Sequence, residues 1–454
     1  MKLYEHQEKS VKKILDNNSI FNSSDPGTGK TISHLIAYEK RKHEGKCLVL
    51  APLSILEPSW ADDAKKATNL RISVAYAKNR EEAFEEDADV YVTNWDAVKW
   101  INEKCKNSKG AFLKDFSELV IDEVTAFKSS TSQRTKALFA IRHHFKYRSA
   151  LTGTPATQSL LDMWSMIFAI DDGKRLGDSF FRYRNNVAIG RQVGAHQHAI
   201  RWEDRPGARE NITMQLADIN IRYAKEDCLS LPQHNTFTVS TTLSNSIMRK
   251  YREMKKESAL AVNSEDINAV NAAVRANKLL QICTGAIYDE NGLKHLLHTE
   301  RYQQVIDLIL ERSWPCLVAF NWRHEREELT KLAEKNDISY GVIDGTVSAN
   351  SRKELVRQFQ RGEIRALFAH PASASHGLTL TAGRSTIWCS PTANAEHFLQ
   401  FNARIYRAGQ SKKTETILIA AKHTRENTIY EMLQGKTDRV SNILELLVAT
   451  QEGL

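Results

Sequence analysis

The run Ser24-Asp25-Pro26-Gly27-Thr28-Gly29-Lys30-Thr31 has the residue types that hold the phosphates of a nucleoside triphosphate. Gly27 and Gly29 let the backbone approach an anion, and Thr28 sits between them where amides at a helix start point at it. Lys30 can reach the β and γ phosphates, and the Thr31 hydroxyl can hold Mg2+. Strand-like Ile20-Phe21 precedes the loop and helix-like Ile32 to Lys42 follows it, the context such a loop requires. Ser24 stands where the general pattern has its first glycine. Farther on, the apolar Leu119-Val120-Ile121 ends in Asp122-Glu123. At a strand's carboxyl end, Asp122 can bind Mg2+ through water, and Glu123 can orient an attacking water and take its proton. Leu151-Thr152-Gly153-Thr154-Pro155 puts two hydroxyls, Thr152 and Thr154, in a tight turn after another short strand, where they can sense a phosphate. Late in the chain, the run from Gln400 to Gln410 carries Arg404 and Arg407, planar cations able to reach a γ-phosphate from a second domain. These groups predict hydrolysis of ATP with Mg2+.

The elements that must position them are legible as short apolar runs between helix-like segments. Cys47 to Ala51, Val90 to Val92 and Leu119 to Ile121 recur early; Cys316 to Phe320, Tyr340 to Ile343, Ala366 to Ala369, Thr386 to Cys389 and Thr416 to Ala420 recur late. Such runs, bounded by turns, predict buried parallel strands. The fold class is therefore α/β, with two parallel sheets and helical insertions between them. The expected division is 1–165 for the first lobe, 166–295 for helical insertions and the connection, and 296–454 for the second lobe. A strand is possible at Thr236 to Ser240.

Composition narrows the partners. The chain has 454 residues, too many for one core, with 41% hydrophobic and 26% charged residues. No apolar run is long enough to span a membrane, and the polar Met1 to Ser10 is not a signal peptide. Six scattered cysteines without a Cys-x-x-Cys pair predict reduced thiols and a cytoplasmic protein. His143-His144 and His196-x-His198 read as surface histidines rather than metal ligands. The net charge of +8 favours a polyanion. Between Lys174 and Arg209, eight Lys/Arg stand against three acids, interleaved with Phe180, Phe181, Tyr183 and Trp202. Phosphate contact plus base stacking suits that mixture, which makes Phe180, Phe181, Arg182, Arg184 and Trp202 candidate DNA contacts or a wedge.

In order, these motifs resemble those of superfamily two helicases, specifically the Snf-like (switch/sucrose-non-fermenting) branch. Leu3-Tyr4-Glu5-His6-Gln7 resembles the opening motif, which implies an adenine contact for Gln7. Leu48 to Trp60 resembles motif Ia, Tyr91 to Trp95 motif Ib, Ile121 to Lys128 motif II and Leu151 to Pro155 motif III. Leu317 to Trp322 resembles motif IV, His370 to Thr381 motif V and Gln400 to Gln410 motif VI. The wording is most similar to compact phage-encoded members, whose setting is the bacterial host cytoplasm. The resemblance implies two RecA-like lobes with ATP between them, Gln400 in coupling, and phosphate-backbone contacts at Ser54, Thr93, Asn321 and Thr379. Thr125 replaces the usual motif II histidine, Thr379 stands for the usual asparagine, and Ser390 to Asn394 lacks the typical tryptophan. With short insertions and no reader domain in view, a nucleosome remodeller is not expected.

The expectation is thus a monomeric, ATP-driven DNA helicase or translocase working on forked or branched DNA, in replication, recombination or repair. The competing expectations are a duplex translocase that strips proteins without separating strands, an RNA helicase, and a DNA-binding scaffold with a degenerate ATP site.

Overall fold

The computed structural model describes residues 2–155, 159–193, 200–228, 231–262, 269–374 and 378–452. His196 and His198 lie outside the described residues. The chain divides into two compact units, one made of Met1–Ser230 with Lys436–Leu454 and one of Leu231–Gly435.

In the first unit, strands β1 (Ser19–Asn22), β2 (Lys46–Ala51), β3 (Ile72–Ala75), β4 (Val90–Asn94), β5 (Phe116–Asp122), β6 (Tyr147–Leu151) and β9 (Asn220–Ile221) form a sheet of order β3-β4-β2-β5-β6-β1-β9. Its pairs are parallel. All of β5 is buried, which explains its near-continuous apolar run: both faces are covered. One core lies around Leu48, Tyr91, Leu119 and Ile121, another around Val49, Val90, Val92 and Val120. Register sets Leu151 of β6 against both Asn22 of β1 and Asp122 of β5. The carboxyl ends of these three strands therefore align, and the segments leaving them emerge on one edge of the sheet. In open parallel sheets that edge is where ligands bind.

Strands β7 (Ala188–Gln192) and β8 (Ile200–Asp204) form a separate antiparallel ribbon after the helix Phe180–Val187. The final helix, Arg425–Glu452, returns to this unit and adds Val440, Ile443, Leu444 and Leu447 to its core.

In the second unit, β10 (His234–Thr241), β13 (Cys316–Ala319), β14 (Tyr340–Ile343), β15 (Ala366–Ala369), β16 (Ser385–Trp388) and β17 (Thr414–Ala421) form a parallel sheet of order β10-β17-β16-β13-β15-β14. A small antiparallel pair, β11 (Ala286–Tyr288) with β12 (Lys294–Leu296), lies between β10 and β13 in the chain. Both sheets are of the expected α/β type.

The boundaries at 165 and 295 do not coincide with the two units. The stretch 166–295 is shared between them, and besides helices it contains the β7–β8 ribbon, β9, β10 and the β11–β12 pair. Long-range pairing decides this: β9 closes onto β1, and β10 onto β17. No described helix is long and apolar enough to cross a membrane.

Candidate nucleotide site and arginine motif

The loop after β1 turns through two left-handed glycines, Gly27 (φ +90°) and Gly29 (φ +86°), before the helix Lys30–Arg41 begins. Such φ values favour glycine. At Gly29 space is also short: an added Cβ would lie 2.0 Å from Nε2 of Gln7. The opening helix, Glu5–Asp16, is seated on this loop. His6 Nε2 lies 2.8 Å from the Thr28 carbonyl, and Gln7 Oε1 accepts the Tyr4 amide at 3.0 Å. Asp25 is pinned from behind by Arg222 (Nη1 to Oδ1, 2.6 Å) and by the Lys225 amide at 3.1 Å; the same Nη1 donates to the Ser23 carbonyl at 2.9 Å. Lys30 Nζ folds into the loop and donates to the carbonyls of Ser24 at 2.5 Å and Asp25 at 3.2 Å. Burial pushes its pKa down, against the carboxylates of Glu123, Asp122 and Asp25 that favour the ammonium.

Asp122 closes β5. Its Oδ2 accepts the Trp60 indole N–H at 2.9 Å, its Oδ1 the Glu123 amide at 3.0 Å, and its main-chain carbonyl the Trp95 indole at 2.8 Å. Burial drives the Asp122 pKa up, with the Trp60 bond and the Lys30 charge acting in the other direction. Glu123 sits at φ +49°, ψ +61°, a conformation costly for a residue with a side chain. Thr152 Oγ1 donates to Glu123 Oε2 at 3.4 Å, and the Thr154 amide donates back to Thr152 Oγ1 at 3.1 Å. The turn rests on the loop, since a Cβ on Gly153 would be 2.7 Å from Cδ of Pro26. Among the described residues, the buried Thr154 hydroxyl has no hydrogen-bond partner.

These residues suit a nucleoside triphosphate and Mg2+. Two glycines keep the loop open to an anion, one ammonium faces it, and a buried hydroxyl beside it has no bond of its own. Among the described residues no cluster of three or more His, Cys, Asp or Glu could hold a metal. Mg2+ is usually bound through one or two protein groups plus phosphates and waters. Thr31 and Asp122 would hold it.

In the second unit, Arg404 and Arg407 converge on one backbone atom. Arg404 Nη1 and Arg407 Nη1 both donate to the Leu378 carbonyl, at 3.3 and 2.8 Å, and Arg404 Nε donates to the Gln400 carbonyl at 2.8 Å. Gln400 is buried. Between the two arginines, Tyr406 stacks on His234 with centroids 4.8 Å apart. The histidine ring is held by two β17 hydroxyls, Thr414 at 2.7 Å and Thr416 at 3.2 Å.

The structure thus gathers Gln7, Gly27, Thr28, Gly29, Lys30, Asp122, Glu123, Thr152 and Thr154 at one edge of the first sheet. The expected DNA contacts differ in exposure and in the bonds they already make. Thr93 is fully buried in β4 and its hydroxyl donates to the Ala75 carbonyl at 2.8 Å, so it serves the sheet and is turned away from any surface track. Asn321 spends its amide on Ser390, donating to the carbonyl and to Oγ at 3.0 Å each. Phe180 is half-buried, packed edge-on against Trp164 at 5.7 Å beside the core, so less of its ring faces outward than that of Phe181. Ser54 is half-buried, and Thr379, Phe181 and Arg182 are exposed. Trp60 and Trp95 lie inside the runs Leu48 to Trp60 and Tyr91 to Trp95 but were not singled out there. Arg222 and His234 carry no local signal at all.

Residues 6–286 match the SNF2-related domain. The chain belongs to that family. Residues 300–409 match the helicase conserved C-terminal domain and include Leu378, Arg404 and Arg407. As an SNF2-related protein the chain is an ATP-dependent helicase or translocase. Protein p41 of Acyrthosiphon pisum secondary endosymbiont phage 1 is 30% identical over 446 residues, covering 93% of this SNF2-related chain and 93% of p41. An ATP-dependent helicase of Mycoplasma genitalium is 24% identical over 97% of this chain; only 42% of its own length is matched, so the chain spans less than half of it. The SWI2/SNF2 ATPase core of Sulfolobus solfataricus, solved in complex with dsDNA, is 19% identical, with 98% of this chain and 93% of that one aligned at a TM-score of 0.43.

Proposed function

We propose that the chain is a DNA-stimulated ATPase that moves along DNA and acts on forked or branched substrates, by unwinding or branch migration, in replication, recombination or repair. The observation that supports this most is the convergence of Lys30, Asp122, Glu123 and Thr152 at the carboxyl edge of one parallel sheet. Bound ATP supplies the anhydride bond and Mg2+ the charge neutralisation. Lys30 would exchange the carbonyls of Ser24 and Asp25 for phosphate oxygens. Glu123, held in its strained conformation beside Thr152, would orient water and accept its proton. Arg404 and Arg407, already aligned on one carbonyl, would supply cations to the γ-phosphate; arginine fingers contribute roughly 10³- to 10⁵-fold in rate.

A forked or branched substrate is favoured by energetics and by the ribbon. Opening a base-pair step costs about 1.4 kcal/mol of stacking, whereas branch migration exchanges pairs lost for pairs gained. The β7–β8 ribbon and the helix before it carry exposed Phe181, Arg182, Arg191 and Arg201. The test is a panel of fork, four-way junction, duplex and single-stranded DNA, with RNA alongside, scored for hydrolysis and for strand displacement. Lys30→Ala and Arg407→Ala should abolish both. Triplex displacement without strand separation would overturn the branched-DNA assignment in favour of a duplex translocase, and stimulation by RNA alone would overturn DNA as the track.

A further inference from the structure

The β7–β8 ribbon carries a charge arrangement that folding by itself disfavours. Register sets Arg191 directly opposite Arg201, and Gly190 opposite Trp202. Like charges directly opposed across an antiparallel pair are destabilising. The register is nonetheless firmly specified. Trp202 lies over Gly190, where an added Cβ would meet Ile200 Cγ2 at 2.9 Å and Trp202 Cη2 at 3.2 Å, so a larger residue there would push these side chains aside. Trp202 also carries the Arg184 guanidinium on its ring at 4.0 Å and packs against the core of the unit. A one-residue slip would move Trp202 to the other side of the ribbon and lose that packing. The paired arginines are therefore held in place by the packing on the opposite face.

Alternation puts Ile189, Arg191, Val193, Arg201 and Glu203 together on the second face. Glu203 answers one arginine, accepting from Arg191 Nε at 2.5 Å. Asp204, on the packed side, is engaged by Arg209 at 3.1 Å. Arg182 and Arg205 add exposed positive charge nearby, with Asp178 only 3.9 Å from Arg182. Ile189 and Val193, both exposed, flank the pair.

Resting on the DNA-motor function above, we propose that this face grips two neighbouring phosphates of one DNA strand through Arg191 and Arg201, with Ile189 and Val193 against the sugars. Opposed residues have Cβ atoms about 5 Å apart. One strand presents a charge about every 3.4 Å along the helix axis, and the arginine stems bridge the difference. Each guanidinium offers a planar fork that matches a phosphate. Two such forks side by side suit a repeating backbone better than the irregular charges of an acidic protein surface.

The experiment is equilibrium binding of the full chain to a single-stranded oligonucleotide across a salt series, comparing wild type with Arg191→Gln/Arg201→Gln and Arg191→Lys/Arg201→Lys. Loss of two contacts should make the slope of log K against log[salt] shallower by about 1.4, with the lysine pair close to wild type. Unstimulated ATP hydrolysis should stay unchanged, and the melting temperature of the glutamine pair should equal or exceed wild type. If wild type binds DNA and the glutamine pair keeps its slope, the grip is refuted while the DNA-motor function stands, and an acidic protein becomes the partner to seek. If the slope changes on duplex and not on single strands, the one-strand assignment is refuted. If wild type binds no DNA at all, both fall.

Discussion

The indole N–H of Trp60 donates to Oδ2 of Asp122 across 2.9 Å, and the ring behind it is buried. One segment of the first unit thereby fixes the carboxylate that would hold Mg2+, a residue that follows it by a long stretch of chain. Groups that orient a metal-binding carboxylate matter nearly as much as the ligand itself.

Trp60→Phe keeps the ring and deletes the donor. It should lower ATP hydrolysis about 10- to 100-fold. The lost bond had favoured ionised Asp122, so the Asp122 pKa rises further and the acid limb of the pH–rate profile moves to higher pH. Steady-state rates between pH 5 and 9 check both. An unchanged acid limb would refute the link.

Gly29→Ala imposes a left-handed conformation on a residue with a Cβ, costing about 1–2 kcal/mol, and drives that carbon into the Gln7 amide. Nucleotide binding should weaken about tenfold or more. Adding Gln7→Ala removes the collision but not the backbone cost, so the double variant should recover part of any loss in melting temperature while nucleotide binding stays weak. Thermal melting beside titration with a fluorescent nucleotide separates the two contributions.

Glu118 lies buried in β5, 3.8 Å from the Arg41 guanidinium, with neither carboxylate oxygen hydrogen-bonded. At that separation burial outweighs the attraction and lifts its pKa from 4.5 to about 7. In the unfolded chain Glu118 ionises near its ordinary value; in the folded chain it keeps its proton to about 7. Between those values the folded state binds more protons, so its stability falls as pH rises, by about 3 kcal/mol in all. Glu118→Gln should abolish this slope, leaving stability near wild type at pH 4.5 and above it at pH 8. Urea denaturation across that range measures it.

His234 stacks on Tyr406, which lies between the two proposed catalytic arginines. With the ring removed in His234→Ala, Tyr406 loses the surface it stacks on, and the segment between Arg404 and Arg407 loses a wall. A misplacement of about 1 Å in a catalytic group can cost on the order of 100-fold. The expected result is a fall in kcat of that order with KM for ATP unchanged. His234→Phe, which keeps the stack, should restore most of it. A purely structural role would instead lower the melting temperature of both variants alike, with kcat following.

Much of the fold was readable because parallel strands covered on both faces must be apolar throughout. Cys47 to Ala51, Leu119 to Ile121, Cys316 to Phe320 and Ala366 to Ala369 all fall on central strands. The loop from Ser24 to Thr31 was readable for a different reason: its glycines answer a local backbone demand. What stayed hidden depends on partners distant in sequence. Asn220–Ile221 is too short to announce a strand and exists as one because it pairs with β1. Arg222 looks like any basic residue until Asp25 lies beside it. The 174–209 stretch showed its charge and aromatics, but not that Phe180 and Trp202 would turn toward the core while Phe181 and Arg191 stayed outside. Thr93 was misplaced because a hydroxyl at a strand end satisfies a neighbouring carbonyl as readily as it faces solvent.

The final helix gives Val440, Ile443, Leu444 and Leu447 to a core otherwise built from the amino-terminal half. Asn220 bonds the Leu447 carbonyl, and Gln451 accepts the amide of Arg222, the residue whose side chain pins the phosphate loop. On the ribosome, that first half emerges long before its closing segment is translated. Maturation of the fuel-burning half therefore waits for the codons of the helix after residue 436, and a nascent fragment ending before that residue lacks the pieces that complete it. Removing the helix after residue 436 should likewise damage the sheet built from the first 221 residues.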